Sequence, residues 1–444
     1  MVGKERVLEI MESVLDRSPG DQTQAVFMGQ KSHLTRFSSN YIHQNVGESD
    51  GKLLVKVVRG KSIGEASTNL LDEEGIGRTV ERAAEIASVQ RENPHFRSFP
   101  PGGPITSAVG FASETAEASP EDRAEGVRRL VGVTRDQGAE AYGSYESGVM
   151  ELAVCNSLGA RAYQLSTQAS LRAVVMAGRG TGFAEAASSR ISDIDPVELG
   201  RVATEKCSRS REAEAIEPGE YTVILEPQAS AELVNYLVRL GFSARAVQEG
   251  RSFLTGETGQ RIVSEKVNIW DDGTDPGGLP LAFDFEGVPK RKFPLVEAGR
   301  AVNVVHDSQT AAREGGESTG HAIPYAAFSP MALNLFMGTG DASMEDMIAS
   351  TRRGLLVTRF HYTNPIHPVK AMFTGMTRDG TFMVENGRIT RAVKNLRFTE
   401  SILKALSEVE MVGSESVLVK WYFGGTRVPP LKIRSFNFTG VTEH

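Results

Sequence analysis

The segment Tyr221–Arg251 has the sequence YTVILEPQASAELVNYLVRLGFSARAVQEGR, and it sets the character of the second half of the chain. Its first five residues predict a strand over Tyr221–Leu225. We expect Ser230 to cap the helix that follows. Apolar residues share one face of this helix and polar residues the other: Leu233, Val234, Leu237, Val238 and Gly241 against Glu232, Asn235 and Arg239. The pattern predicts an ordinary packed helix.

Domain boundaries lie where proline and glycine interrupt the helix and strand patterns. Pro218-Gly219 directly precedes the strand, and the stretch near 93–106 is a Pro- and Gly-rich linker. Helix and strand signals alternate before Pro218, whereas the part after it is strand-rich with glycine-containing loops. The domains we expect are 1–217, with candidate subdomains 1–92 and 107–217, and then 218–444.

The remaining elements follow from capping residues, turn residues and hydrophobic period. The predicted elements that matter below are a helix capped by Asp72, a helix capped by Ser119, a strand over Leu34–Val46, an amphipathic helix over Phe398–Val412 and a hairpin turn at Asn386-Gly387.

Composition limits the function classes. With 444 residues, a net charge of -7 and a pI near 5.8, the chain lacks a clustered basic surface, so we expect no direct nucleic-acid partner. The densest cationic run, Lys290-Arg291-Lys292, is predicted to be a solvated turn. No apolar run approaches the roughly 20 residues that span a bilayer, so we expect no membrane partner. Two cysteines, Cys155 and Cys207, favour a reducing compartment and hence the cytoplasm.

A specific set of motifs lies within Phe283–Pro324. They are DFEGVP (284–289), LVEAG (295–299), TAAR (310–313) and STG (318–320). Further motifs are TRF (35–37), IHQN (42–45), ASTN (66–69), GLLVT (354–358) and VENGRI (384–389). The first four motifs occur in family order, and together with the others they closely resemble the TldD/PmbA family, long described as modulators of DNA gyrase. The resemblance extends over nearly the whole length of the chain.

The resemblance implies both a fold and a class of activity. The implied fold is α+β, with an N-terminal α/β domain joined to a larger, mainly β C-terminal domain, in a soluble dimer that encloses a cleft. The TldD-like branch is a zinc peptidase for unfolded peptides and peptide precursors. It carries His-Glu-x-x-x-His on the helix after the strand at Tyr221–Leu225, and a cysteine late in the chain. Imidazoles and a thiolate hold Zn²⁺, and the glutamate takes a proton from the metal-bound water.

This chain departs from the zinc motif at each of its positions. Ungapped counting places Asn235, Tyr236 and Leu240 at the first His, the Glu and the second His. An amide is a weak zinc ligand, a phenol is a poor base at neutral pH, and an alkyl group offers no lone pair. The degenerate motif therefore predicts no catalytic residue and no zinc cofactor.

The late cysteine is missing as well, since Trp421, Tyr422 and Phe423 occupy the region in which it is expected. Joint loss of both elements resembles the PmbA branch, also called TldE, which is regarded as non-catalytic and pairs with TldD. The partners that this implies are a TldD-like peptidase subunit or a second copy of the chain, and unfolded or precursor peptides.

An alternative is a self-sufficient metallopeptidase or hydrolase with unconventional ligands. The histidines available to it are His306, His321, His361 and His367, and His361 with His367 would be the ligands. No GxSxG elbow and no phosphate-binding glycine motif supports other chemistries. A third reading is a role without proteolysis, in which the chain binds a modified peptide or a metabolite.

The cleft implied by the family supplies the candidate binding residues. Two belong to the STG motif and four to a mixed polar and apolar stretch that precedes a predicted strand: Ser318, Thr319, Met376, Thr377, Arg378 and Asp379. We expect these six side chains to line the peptide cleft.

Overall fold

The computed structural model describes residues 1–105, 110–324, 328–421 and 424–442. Strand content exceeds helix content, at 42% against 26%, which confirms the predicted α+β class. In these ranges no helix is both long enough and apolar enough to cross a bilayer.

The first half of the chain forms one antiparallel sheet with helices packed on it. The strands are β1 (Gln22–Ser38), β2 (Tyr41–Arg59), β3 (Ser62–Thr68), β4 (Glu140–Asn156), β5 (Arg161–Ala177) and β6 (Gly180–Ser188). The helices are α1 (Lys4–Arg17), α2 (Glu73–Val89), α3 (Ser113–Ala116), α4 (Pro120–Asp136) and α5 (Pro196–Arg209). The strand order is β3-β2-β1-β4-β5-β6.

The sheet consists of two halves with the same order of elements. Each half runs helix, three strands, helix: α1 to α2 in the first, and α4 to α5 in the second. The halves meet where β1 pairs with β4, from Gln24 opposite Asn156 to Phe37 opposite Gly143. The segments on either side of the 93–106 linker thus share one continuous sheet.

Local sequence explains where the helices of this layer begin. The Asp72 carboxylate accepts the backbone N–H of Gly75 at 2.7 Å, which satisfies a free donor in the first turn of α2. Ser119 and Asp122 form a reciprocal capping box at α4. Both predicted caps are therefore confirmed.

The second half of the chain builds two further sheets. Its strands are β7 (Gly219–Leu225), β8 (Ile269–Asp271), β9 (Phe293–Glu297), β10 (Arg300–Ala301), β11 (Asn334–Met337), β12 (Arg353–His367), β13 (Met372–Glu385), β14 (Arg388–Ala392), β15 (Leu396–Ser401), β16 (Val409–Val412), β17 (Val417–Trp421), β18 (Gly424–Val428) and β19 (Leu431–Val441). Its helices are α6 (Pro227–Gly241), α7 (Ala244–Gln248), α8 (Ser308–Glu314), α9 (Met344–Ala349) and α10 (Ile402–Ser407).

Five of these strands close into a small barrel. Pairings run through β12, β7, β19, β15 and β13, and β13 pairs back to β12. Phenylalanine rings fill the interior, with the Phe398 centroid 4.6 Å from Phe360, 4.9 Å from Phe373 and 5.3 Å from Phe436. Closure leaves the barrel strands paired on both sides, so the rings are shielded from water.

Helix α6 lies between the barrel and the other sheet. That sheet has the order β10-β9-β8-β11-β18-β17. α6 contacts β7 and β12 of the barrel, and β17 and β18 of the second sheet. The helix is therefore central to the C-terminal half, which explains why its flanks are buried on more than one side.

Two predicted elements are wrong. The Leu34–Val46 strand is interrupted by a hairpin turn, because Ser39 and Asn40 adopt φ of 48° and 69° and join β1 to β2. The Phe398–Val412 helix is instead β15, the short helix α10 and β16. Its apolar residues fit a helical period, but β15 and β16 both pair with β19. Sheet pairing therefore overrides the local pattern.

Candidate functional site

Helix α6 carries the three positions that the resemblance assigns to the zinc motif. Pro227 lies in its first turn, where a missing N–H costs no helical hydrogen bond. The predicted polar face is wrong for Asn235, because this side chain is buried, 7% exposed. Ser230 is buried within the helix and does not cap it. Only part of the expected polar face, including Arg239, reaches solvent.

Asn235 ties the helix to the second sheet. Its Nδ2 donates to the carbonyl oxygen of Ala231 at 2.8 Å, and its Oδ1 accepts from the hydroxyl of Thr426 at 3.0 Å. Thr426 is buried on β18. Each polar atom of the amide thus has a protein partner, as buried polar groups require.

Tyr236 fills the glutamate position of the motif with an aromatic ring. Its hydroxyl donates to the carbonyl oxygen of Thr363 at 2.9 Å. The ring centroid lies 6.0 Å from that of Phe373 and 6.1 Å from that of Trp421, the latter edge to face. Trp421 comes from the region in which the late cysteine is expected, so two motif regions pack against each other. Tyr422 and Phe423 lie outside the described residues.

A carboxyl group adjoins this aromatic contact. Glu232, one turn before Tyr236 on α6, accepts a hydrogen bond from the hydroxyl of Thr363 at 2.9 Å. Burial raises the pKa of Glu232 to about 7, against the opposing effects of that hydrogen bond and the Arg359 charge. The group therefore titrates close to neutral pH.

Little free space remains at the motif positions. Leu240 is half-buried and packs against the core of the C-terminal half. A cavity of about 30 Å³ lies beside the helix, lined by Asn235, Val238, Arg239, Met331, Ala332, Leu333, Leu335 and Trp421. It has room for about one or two waters but not for a peptide residue.

A buried ionic cluster lies in the signature region, and the sequence did not reveal it. Lys290 Nζ donates to Asp271 Oδ2 at 2.8 Å, and His321 Nε2 lies 3.1 Å from the same oxygen. The Lys290 and Asp271 side chains are 1% and 0% exposed, so the predicted solvated turn is wrong at Lys290. Burial alone would raise the pKa of Asp271, but the Lys290 and His321 partners hold it well below its usual range.

Neighbouring carboxyl groups organise the loops of the same region. Asp284 accepts backbone N–H groups from Glu286, Val288 and Ala322, each at 2.9 Å. Burial raises the pKa of Asp284 to about 6 and that of Glu286 to about 8. Glu286 in turn accepts both the N–H and the hydroxyl of Ser308. These groups are enclosed, so their role is to fix loop conformation.

The candidate residues of the STG motif contact His306. The Ser318 hydroxyl donates to the carbonyl oxygen of His306 at 3.3 Å, and Thr319 Oγ1 accepts the His306 N–H at 2.7 Å. Thr319 Oγ1 also lies 2.9 Å from His321 Nδ1. The motif therefore braces the loop beside the buried ionic cluster.

The other four candidates lie on β13 rather than in a loop. Because side chains alternate along a strand, two of them face one side of the sheet and two face the other. Met376 and Arg378 face an open pocket. Thr377 and Asp379 are buried. Thr377 accepts the backbone N–H of Leu396 at 3.0 Å, whereas Asp379 forms an ion pair with Arg359.

Polar contacts also join the two halves of the chain. Lys420 on β17 donates to Glu146 on β4 at 2.7 Å. The Arg359 guanidinium lies over the ring of Phe183 on β6, 4.3 Å from its centroid. Lys420 also lines a cavity of about 270 Å³ whose other lining residues belong to the N-terminal sheet: Gln30, Ser32, His33, Leu34, Val46, Glu48, Glu146, Ser147, Gly148, Gln168 and Ser170.

Comparison with known families identifies this architecture. The PmbA/TldA metallopeptidase C-terminal domain matches residues 218–440, which is half of the chain, and the PmbA/TldA metallopeptidase central domain matches residues 104–211. The chain belongs to the PmbA/TldD family. Curated relatives that match this chain include several described as metalloproteases.

Curated PmbA/TldD relatives match parts of the chain. A metalloprotease of Methanothermobacter thermautotrophicus is 28% identical over 223 residues, 50% of this chain and 49% of that protein. A metalloprotease TldD homolog of Haemophilus influenzae is 26% identical over 230 residues, 51% of this chain and 47% of that protein. An uncharacterised Methanocaldococcus jannaschii protein is 27% identical over 281 residues, 62% and 65% respectively. Each of these matches thus covers between about half and two thirds of the relative's own length.

Solved PmbA/TldD structures share the whole fold. TldE from Thermococcus kodakarensis has a TM-score of 0.88 at 22% identity, covering 98% of this chain and 99% of that one. A Thermotoga maritima protein described as a modulator of a DNA gyrase has a TM-score of 0.85 at 20% identity, covering 94% and 96%. At such identities the likeness establishes the fold.

The metal centre of PmbA/TldD metallopeptidases does not fit the residues of α6. An amide bonded to Thr426, a phenol bonded to Thr363 and the alkyl group of Leu240 offer no set of strong zinc ligands. Across the described ranges, no three His, Cys, Asp or Glu side chains gather closely enough to hold a metal ion. Of the alternative ligands, His361 is half-buried at the open pocket and His367 is exposed.

Proposed function

We propose that this chain is a non-catalytic, TldE-like subunit that completes the peptide-binding chamber of a TldD-like zinc peptidase acting on unfolded peptides or peptide precursors. The observation that carries the proposal is the way α6 is filled. Asn235 is bonded to Thr426, and Tyr236 packs against Trp421. The positions of a metal site are used to hold the two sheets of the C-terminal half together.

An unpaired strand edge supports the proposed binding of extended peptide. β3 pairs with β2 only from Leu53 to Arg59. Along Tyr41–Lys52 the outer edge of β2 therefore faces no strand of the described chain, and its backbone groups can add an extended segment. The cavity of about 270 Å³ that Lys420 lines adjoins the same hairpin, since its lining residues His33, Val46 and Glu48 belong to β1 and β2.

The partner that we infer is a TldD-like peptidase subunit, with a second copy of this chain as the alternative. We also infer a reducing compartment, the cytoplasm, because Cys155 and Cys207 are both free and buried. Burial raises the pKa of the Cys155 thiol to about 11, which disfavours its reactive thiolate form.

Peptide cleavage assays test the proposal. Three samples are compared on unfolded peptides: this chain alone, a TldD-like partner alone, and an equimolar mixture. We expect cleavage only in the mixture, or at a markedly higher rate there than with the partner alone. Cleavage by this chain alone, abolished by a chelator, would refute the proposal.

Metal analysis separates the proposal from a self-sufficient enzyme. We expect the purified chain to contain far less than one zinc per molecule. Stoichiometric zinc that is lost in H361A or H367A would instead support unconventional ligands. An N235A variant is the matched control for a change at the degenerate motif, because it should leave metal content unchanged.

A further inference from the structure

An open pocket lies on the outer surface of the barrel. Strand register places His361 opposite Met376, and Met376 opposite Arg397, so the three residues form a row across β12, β13 and β15. Arg378 lies two residues beyond Met376 and therefore on the same face. The pocket has a volume of about 410 Å³ and is lined by His361, Tyr362, Met376, Arg378, Arg397, Val441 and Thr442.

The charge of this pocket is positive. Among the described residues, its lining contains two guanidinium groups and an imidazole, but no carboxylate. The acidic contact of Arg378 is Asp379 at 4.0 Å, and Asp379 is already paired with Arg359. Arg397 is exposed, and no carboxylate of the described chain forms an ion pair with it. The pKa of His361 is lowered first by burial and then by the Arg359 and Arg378 charges, against the opposing effect of Asp379.

The shape and the apolar part of the lining indicate what kind of anion fits. Met376 and Val441 provide apolar surface beside the two arginines, and the Tyr362 ring is 76% exposed at the rim. Tyr362 also adopts a φ of 56°, a conformation that is costly for a non-glycine residue and common at ligand sites. A bare inorganic ion would leave this apolar surface unused, whereas a peptide end carries both a carboxylate and a side chain.

We propose that this pocket binds a carboxylate group carried by an extended peptide. Arg378 and Arg397, which line the same pocket, donate to the carboxylate oxygens in this arrangement, while Met376, Val441 and Tyr362 contact the adjoining side chain. The inference rests on the proposed function in taking a peptide as the ligand. It goes further by assigning the chemical group that is recognised and the residues that recognise it.

Binding of matched peptides tests the assignment. An acetylated hexapeptide, Gly-Ala-Ala-Ser-Ala-Leu, is titrated as the free acid, as the C-terminal amide, and as an amide with glutamate in place of leucine. Isothermal titration gives each Kd. We expect the free acid, the glutamate amide or both to bind about tenfold or more tightly than the plain amide, since a charge-assisted pair is lost in the amide. The two charged peptides distinguish a terminal from a side-chain carboxylate, and preference for either one supports the proposal.

Variants of the two arginines then test which residues cause the preference for a carboxylate. R378Q and R397Q should each reduce it by about tenfold, and the matched control R388Q, at an exposed arginine of neighbouring β14, should retain it. Glu443 and His444 follow Thr442, lie outside the described residues and carry carboxyl groups of their own. The titrations are therefore repeated with a variant that ends at Thr442, which should show the same preference for a carboxylate. Equal affinity of the three peptides, absence of binding, or a preference that persists in the R378Q/R397Q double variant would overturn the assignment.

The outcome is separable from that of the proposed function. If the chain activates a TldD-like partner but shows no carboxylate preference, only the pocket assignment fails. If the carboxylate preference maps to Arg378 and Arg397 but no activation occurs, the pocket assignment stands and the subunit role fails.

Discussion

Replacing Lys290 with methionine removes the cation from the buried cluster and keeps a side chain of similar length. Asp271 then retains His321 at 3.1 Å and the backbone N–H groups of Leu333 and Asn334 at 2.9 and 2.7 Å. Removing one partner from a buried ion pair costs about 3–5 kcal/mol, because the other charge stays buried. We expect K290M to lose about that much free energy of unfolding at pH 8.

The cost should depend on pH through His321. Burial, followed by the Lys290 charge, lowers the pKa of His321 to about 4. In the unfolded chain the pKa is about 6.5, so below pH 6.5 the unfolded state binds a proton that the folded state does not. The wild-type chain therefore loses about 2 kcal/mol through this group between pH 8 and pH 5. In K290M the lysine charge no longer lowers the pKa of His321, and the protonated imidazole can pair with Asp271, so the folded pKa rises and this loss becomes smaller.

Denaturant unfolding of both proteins at pH 8 and pH 5 measures the effect. The difference between variant and wild type should be smaller at pH 5 than at pH 8, by up to about 2 kcal/mol. Contributions from distant titrating groups cancel in that difference. R291M is the matched control, since Arg291 is the exposed neighbour in the same cationic run, and it should change stability by less than about 0.5 kcal/mol. A K290M cost below about 1 kcal/mol at pH 8, or an equal cost at both pH values, would refute the reasoning.

Three further outcomes are expected. Y236F loses the hydrogen bond to Thr363 but keeps the ring, so it should cost about 1 kcal/mol in denaturant unfolding, against about 3–5 kcal/mol for Y236A. F398A opens a cavity at the centre of the barrel and should cost about 3–5 kcal/mol, whereas F111A, at a ring that is 46% exposed, should cost much less. Glu232 has a folded pKa near 7, above its unfolded value, so its stabilising contribution is present at acidic pH and is lost as pH rises through 7. E232Q should therefore be more stable relative to wild type at pH 8 than at pH 5, and a difference independent of pH would contradict the assigned titration.

Local signals were sufficient for much of the fold. Caps at Asp72 and Ser119 and the turn at Asn386-Gly387 depend on one or a few residues, and the structure confirms all three. The prediction of a helix over Phe398–Val412 failed because a helical period is a local property of the sequence. The strands that form there instead are stabilised by pairing with β13 and β19, which lie outside this segment. Long-range pairing of this kind leaves no trace in a short window of sequence.

In the candidate site, too, the sequence predicts the local features but not the long-range contacts. Asn235 and Tyr236 were identifiable as motif positions because the zinc motif has fixed spacing. Their partners Thr426 and Thr363 lie far away in the sequence, so the packed state of the site could not be predicted. Lys290 looked exposed because its neighbours are charged, and its burial depends on Asp271, which the sequence did not single out.

Because β1 pairs with β4, the N-terminal half resembles two similar molecules joined into one chain; this β1–β4 pairing is the seam between them. Each side of the seam is a complete layer of helix, three strands and helix, and the strands at the seam run antiparallel, as they would across a twofold axis. Covalent connection through the 93–106 segment turns what would be an encounter of two molecules into an intramolecular step at high effective concentration. The long register from Gln24 to Phe37 can then form without dependence on protein concentration, and the linker is itself anchored to the sheet, since Phe96 and Phe99 are buried beside Val58.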